Sequence, residues 1–311
     1  MTQTRAAIEL AIAGALWGFG FVAAMWSLKA GGPLAITGWR FAVAAFIGLS
    51  FSLVIRQLRK VSRPGTDWKL NLKTAGLPGL FIAGTLIFQT WGLQYTTATK
   101  SGFITCLYVL IVPLIEPLLG GPRPSRAVWL SAFCALVGVA LMCGLFTAQD
   151  LDERSRLNFG DFLTLLAAFC ASFHILAIDR VSAKLGQGFD SHKFNTAQSL
   201  MAGLPTLAIA LAIEPGAFSF PVRLVLEPGV ATIGFLSLAI GSTLIAFALQ
   251  VRAQKYIPPT TASLLFLLES PFAAIFATLL LSEVMGPTQL IGGAIILTSV
   301  GLSTFSSARD S

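Results

Sequence analysis

Long apolar runs alternate with short polar breaks along the whole chain. The breaks fall where proline, glycine and charge cluster. They leave ten runs, at about 7–28, 35–56, 73–95, 98–119, 126–146, 160–181, 193–213, 228–252, 258–281 and 287–305. Most have about the 20 residues that a helix needs to cross the hydrocarbon of a bilayer. Helix is the expected form, because hydrocarbon offers no water to satisfy an open backbone. The pattern predicts an all-α integral membrane protein with ten transmembrane helices. Its longest polar break, "TAQDLDERSRLN" (147–158), leaves five runs on either side.

Composition narrows the class. Of 311 residues, 55% are hydrophobic and only 11% charged, with a mean hydropathy of +0.79. A water-soluble domain carries about 25% charged residues, so this chain has too few to cover a wet surface. The net charge of +7 does not point to nucleic acid, since no Lys/Arg-rich tract with interleaved aromatics is present. Cys106, Cys134, Cys143 and Cys170 all lie in apolar runs without CxxC spacing, which fits reduced thiols rather than disulfides or zinc. There are two histidines and no HExxH, GxSxG or GxxxxGK[ST] motif. No enzyme, catalytic residue, metal or cofactor is expected, and energy would come from ion gradients or exchange. Arg5 precedes the first run, but that run reaches Leu28 and is read as a span, not a cleaved leader.

Loop charges give a direction. With the N-terminus inside, Lys29, Lys100, Arg154, Arg156 and Arg223 fall outside and Arg40 lies within a span. The remaining fifteen of the 21 basic residues fall inside. Basic loops are retained in the cytoplasm, so both termini are expected there.

An odd number of spans per half turns the second half upside down relative to the first. Sequence echoes support a duplication. "IFQTWGLQY" (87–95) and "LQVRAQKY" (249–256) place Gln89 before Tyr95 and Gln250 before Tyr256 at the same distance. "GALWGFGFVA" lies against "AAFCASFHIL", pairing Trp17 with Cys170 and Phe21 with His174. "YVLIVPLIEPLLGG" lies against "FLLESPFAAIFATLLL" around Pro113 and Pro271, although the tyrosine-to-proline spacing differs by three. The expected organisation is a five-helix repeat over 1–147, a polar linker at 148–158 and an inverted five-helix repeat over 159–311. Such halves can open to each side in turn, with substrate near the midplane between them.

Polar residues inside hydrocarbon are candidates for function. Glu269 and Glu116 could carry a coupling proton, or simply bond a neighbouring helix. His174, whose imidazole titrates nearest neutrality, could relay a proton or line a cavity. Gln89 and Gln250 are expected on the cavity side. Trp17 and Phe21 share one helix face and, with Tyr108, suit either an aromatic patch lining a cavity or plain lipid-facing packing. Arg40 is read as bridging helices or reaching for headgroups, although it could attract anions. The substrate-binding set is therefore Trp17, Phe21, Gln89, Tyr108, His174, Gln250 and Glu269, with proton coupling assigned among Glu269, Glu116 and His174.

The stretch "LLFLLESPFAAIFATLLLSEVMGPTQLIGGAIILTSVGL" resembles the ninth and tenth helices of the EamA family of the drug/metabolite transporter superfamily. "ALWGFGFVA", "GWRF" and "GLQYTTATKSGF" match its first half. One departure is "LLGGPRPS", where the first half lacks the turn glutamate held by Ser282–Glu283 in the second. The resemblance implies ten helices in two inverted repeats around a central cavity. It also implies export or exchange of small metabolites, often amino acids, at a bacterial inner membrane. The resulting expectation is a secondary transporter for a small amphipathic metabolite, an amino acid or related amine, with the bilayer and protons as its other partners. A sugar-phosphate, nucleotide-sugar or other organic-anion exchanger would want more than one intramembrane cation. A non-transporting scaffold would have little use for the buried amides and carboxyl.

Overall fold

Helix forms along every apolar run, in a computed structural model that describes residues 2–59, 68–96, 98–142, 158–186, 189–281 and 286–309. Lys60, Arg63, Cys143, Arg154, Arg156, Ser282, Glu283 and all of the 148–158 linker except Asn158 lie outside the described residues. In chain order the helices are α1 (Gln3–Ser27), α2 (Pro33–Arg59), α3 (Trp68–Gly92), α4 (Ala98–Thr105), α5 (Tyr108–Ile115), α6 (Arg126–Met142) and α7 (Phe159–Leu185). There follow α8 (Ser191–Ile213), α9 (Phe220–Leu226), α10 (Val230–Leu236), α11 (Phe247–Ala253), α12 (Pro259–Phe266), α13 (Glu269–Leu281) and α14 (Pro287–Arg309). A 3-10 turn at Pro117–Leu119 follows α5, and a π-helical segment, Ser237–Ala246, joins α10 to α11. No strand occurs among the described residues.

Among the described residues, seven helical stretches are long and apolar enough to cross a membrane. They are Gln3–Ser27, Pro33–Val54, Trp68–Gly92, Phe159–Leu185, Ser191–Ile213, Val230–Ala253 and Pro259–Leu280. Three shorter apolar helices, Ser101–Ile115, Arg126–Leu141 and Leu290–Val300, accompany them. Large apolar side chains stand outside the bundle: Phe46 is 71% exposed, Leu279 72% and Leu118 82%. A soluble monomer rarely shows such surface, whereas hydrocarbon accepts it. This is a multi-pass membrane protein.

Local chemistry starts the helices where the polar breaks predict. Asn158 and Asp161 form a capping box on α7, each side chain accepting the other's backbone N–H at 3.2 and 2.9 Å. Asp190 caps α8 by accepting from the N–H groups of His192 and Lys193. No acidic residue lies in the first turn of α2. Glu214, just past the end of α8, supplies the charge, accepting from Leu34 N and Ala35 N at 3.2 and 2.5 Å.

Three expected runs are not single regular helices. Run 98–119 breaks at Cys106–Leu107, between α4 and α5. Run 258–281 breaks at Leu267–Leu268, between α12 and α13. Run 228–252 carries the π segment. The break in run 258–281 lies before Pro271. Proline offers no N–H to the carbonyl four residues back. The Leu267 carbonyl instead accepts from Ser270 N at 3.1 Å, so the ladder shifts register there. Pro113 sits inside α5, well past its break.

Helices from the two ends of the chain interleave. α1 packs against α10, the π segment and α11 to α13; α2 packs on α8; α3 packs on α7 and α8; α6 packs on α14. Glycine permits the closest approach. A Cβ on Gly18 would lie 2.7 Å from Ala273 N and from Glu269 O, too close for any other residue without a backbone shift.

Candidate functional site

The interleaving leaves a cavity of about 720 Å³, any open solvent included, walled by α1, α2, α3, α7 and α11 and by the broken and π-helical segments. All seven residues expected to bind substrate line it: Trp17, Phe21, Gln89, Tyr108, His174, Gln250 and Glu269.

The two helix breaks meet at this cavity. Tyr108 is the first residue of α5 and Glu269 the first of α13. The Tyr108 hydroxyl donates to Glu269 Oε1 at 3.2 Å. Cys106 Sγ lies 3.8 Å from the same oxygen and 3.0 Å from Ser270 Oγ. Glu269 is 7% exposed, and its place in the first turn of α13 sets it where the helix dipole favours negative charge. A buried carboxyl with a phenol and a thiol as donors can hold a proton or face a cation.

The breaks also keep register. Residues 89, 95, 98, 105, 108 and 126 recur as 250, 256, 259, 266, 269 and 287: the Gln and Tyr pairs, the bounds of α4 and α12, and the starts of α5 and α13 and of α6 and α14. Each pair is 161 residues apart, as are Tyr108 and Glu269. Matching Pro113 to Pro271 missed this register by three residues, because those prolines do not occupy equivalent turns.

Aromatic rings form one wall. The Trp17 ring lies 5.4 Å from that of Phe247 and 5.1 Å from that of Phe266, and its Nε1 donates to Ser242 O at 3.2 Å. Phe266 also meets Tyr108, and Phe247 meets His174 edge-on at 5.8 Å. His174 Nε2 lies 3.2 Å from Gln198 Oε1, and Gln198 in turn donates to Asn195. Gln89 donates to Thr105 Oγ1 at 3.2 Å. Gln250 donates to Gln254, while its own Oε1 is buried without a partner.

Glu116 lies apart from the cavity lining. It caps the end of α5, is 6% exposed and accepts from the Thr260 hydroxyl. Arg40 was expected to bridge helices or reach the headgroups, and only the bridging part is seen. It is 2% exposed and lines the cavity, donating from Nε to Thr243 Oγ1 at 2.7 Å and from Nη2 to Ser242 Oγ at 2.9 Å. Ser242, Thr105 and Cys106 were not singled out from sequence. Small polar residues in an apolar run carry no periodic signal, so only the fold reveals them. For Arg40 there was a signal: it is the basic residue that the loop-charge count leaves within a predicted span, assigned to neither side.

Comparison with known proteins gives the site its setting. The EamA-like transporter family matches the chain twice, over residues 4–144 and 158–305. An uncharacterised transporter of Archaeoglobus fulgidus is 28% identical over 94% of this chain and 83% of its own length. The threonine/homoserine exporter RhtA of Escherichia coli K12 is 28% identical over 78% of this chain and 77% of its own. One solved crystal structure shares the fold with a TM-score of 0.75 at 18% identity, over 97% of this chain and 99% of that one.

Proposed function

This chain belongs to the EamA-like transporter family, and from that premise we propose that it exports a small amphipathic metabolite, an amino acid or related amine, by alternating access. The transporter class rests on the family; the substrate rests on the cavity. One observation carries the choice. Rings from Trp17, Phe21 and Tyr108, amides from Gln89 and Gln250, and the Glu269 carboxyl line a single cavity built from both ends of the chain. That wall suits a ligand with an apolar body and a cationic end. The resemblance to a threonine/homoserine exporter points the same way.

The cycle follows from the architecture. The seven long stretches and three shorter apolar helices serve as ten crossings, in two inverted sets of five on either side of the 148–158 linker. Both termini face the cytoplasm of a bacterial cell, and the inner membrane holds the protein. The two broken helices meet at the cavity, which supports taking it as the ligand's place. Glu269 carries the coupling proton, and substrate competes for it, giving antiport. Glu116 and His174 are the lesser candidates for that proton.

Two experiments test this reading. Proteoliposomes loaded with amino acids or with phosphorylated sugars separate the proposed substrate from the sugar-phosphate alternative; movement of the phosphorylated sugars alone overturns it. Cysteines placed at positions 154 and 63 test direction, with 154 labelled from outside and 63 only after permeabilisation. The opposite pattern reverses the topology. A scaffold would move neither substrate.

A further inference from the structure

The proposed function leaves Arg40 unused. Among the described residues it is the one guanidinium or ammonium group lining the cavity, and it is 2% exposed. Among the described residues it has no carboxylate partner: its hydrogen bonds run to Thr243 Oγ1, Ser242 Oγ and the Leu238 carbonyl at 3.4 Å, all on the π segment. These occupy Nε and Nη2 and leave Nη1 without a protein acceptor. A guanidinium that only strutted two helices together would be a costly device, since a buried charge is expensive unless a countercharge meets it. The same cavity is lined by acceptors without cations: the Glu269 carboxyl and the unpartnered Gln250 Oε1.

Helix α1 gives the levels at which Arg40 and Glu269 are held. Gly14 and Gly18 lie against the Glu269 backbone, and Gly20 lies against Ser242, which holds Arg40. Along the α1 axis two to six residues separate those levels, an axial offset of roughly 3–9 Å at an α-helical rise of about 1.5 Å per residue. That is the scale of one small molecule.

We propose that Arg40 is the carboxylate site of the cavity, so that the ligand is a zwitterion held with its carboxylate on Arg40 and its ammonium toward Glu269 and Gln250. Arg suits this role because its planar fork meets a carboxylate through parallel N–H groups. The π segment serves as the mount: with Ser242 and Thr243 fixing one edge of the fork, the other edge is held toward the cavity. The ligand then supplies the charge that the protein withholds. This rests on the amino-acid reading above and sharpens it from an amine to a molecule that must carry both charges.

The test uses the purified full-length protein and three probes of nearly the same shape. L-threonine carries both charges, L-threonine amide keeps only the ammonium, and 3-hydroxybutyrate keeps only the carboxylate. Apparent affinities come from ligand-dependent shifts in unfolding temperature, which do not require turnover. In the wild type, the amide and the hydroxy acid should each bind at least tenfold more weakly than threonine. In Arg40→Gln, threonine should weaken at least tenfold while the amide changes less than twofold. Glu269→Gln should do the reverse, sparing 3-hydroxybutyrate. If Arg40→Gln does not fold, Arg40→Lys and the wild-type ratio decide: the lysine should weaken threonine while still preferring it to its amide. Wild-type binding of the amide as tight as threonine overturns the Arg40 site alone. So does equal weakening of threonine and amide in the variant, the signature of a strut. Failure of the wild type to bind any probe overturns the amino-acid reading itself, and the Arg40 site with it.

Discussion

The break between α4 and α5 and the break between α12 and α13 are the same backbone device with opposite chemistry. Each interrupts an apolar helix for two residues and restarts it at the cavity. The first restart presents Tyr108, a donor; the second presents Glu269, an acceptor; and the two bond directly at 3.2 Å. Their causes also differ. Pro271 lies within the first turn after its break and denies a donor to Leu267, whereas Pro113 sits mid-helix in α5. Two breaks of the same form thus take the two roles of a complementary pair.

That comparison can be broken most severely at Glu269. Glu269→Gln keeps a hydrogen-bonding side chain but cannot release a proton. Gradient-driven export should fall at least about a hundredfold while counterflow remains measurable, a loss within the range assigned to a positioned acid–base group. Unchanged export would remove Glu269 from the coupling step. Next come the prolines. Pro271→Ala returns a donor to the Leu267 carbonyl and favours a straight helix by up to about 3 kcal/mol. Transport should drop roughly tenfold with folded yield intact, while Pro113→Ala should stay within about twofold, since its break does not depend on it. Equal effects would mean that the two breaks share a cause after all.

Tyr108→Phe removes only the donor side of the pair. A neutral hydrogen bond is worth about 1 kcal/mol, so substrate exchange should weaken by roughly fivefold. Glu116→Gln is expected to do least. Its carboxyl meets Thr260 away from the cavity lining, so transport should hold within about twofold and unfolding should shift by no more than about 1 kcal/mol. A coupling defect there as large as that of Glu269→Gln would reassign the proton.

The apolar runs made the helices legible, and the paired Gln and Tyr positions made the internal register legible. The breaks were not. Cys106–Leu107 and Leu267–Leu268 hold no glycine, proline or asparagine to mark a turn. The second break follows from a carbonyl whose donor is missing four residues downstream, and proline alone does not say on which side the chain will yield. The π segment is equally silent, because "SLAIGSTLIA" has the composition of any buried helix. Trp17, Gln89, Tyr108, His174, Gln250 and Glu269 stood out because polar or amphipathic groups in hydrocarbon are conspicuous. Arg40 was conspicuous too, but its use depends on partners about two hundred positions away, on the π segment. Sequence spacing does not convey such a meeting.

The interleaved packing has a consequence for how the protein is made. α1 leaves the ribosome well before its principal neighbours, α10 to α13 and the π segment among them. Glu269, whose carbonyl faces Gly18, is synthesised roughly 240 residues after the end of α1, a delay of about ten to fifty seconds at 5–20 residues per second. Through that interval the glycine-rich face of α1 has no native companion. The nascent chain must park it in lipid or against the insertion machinery, and the cavity cannot exist until Glu269 has been made.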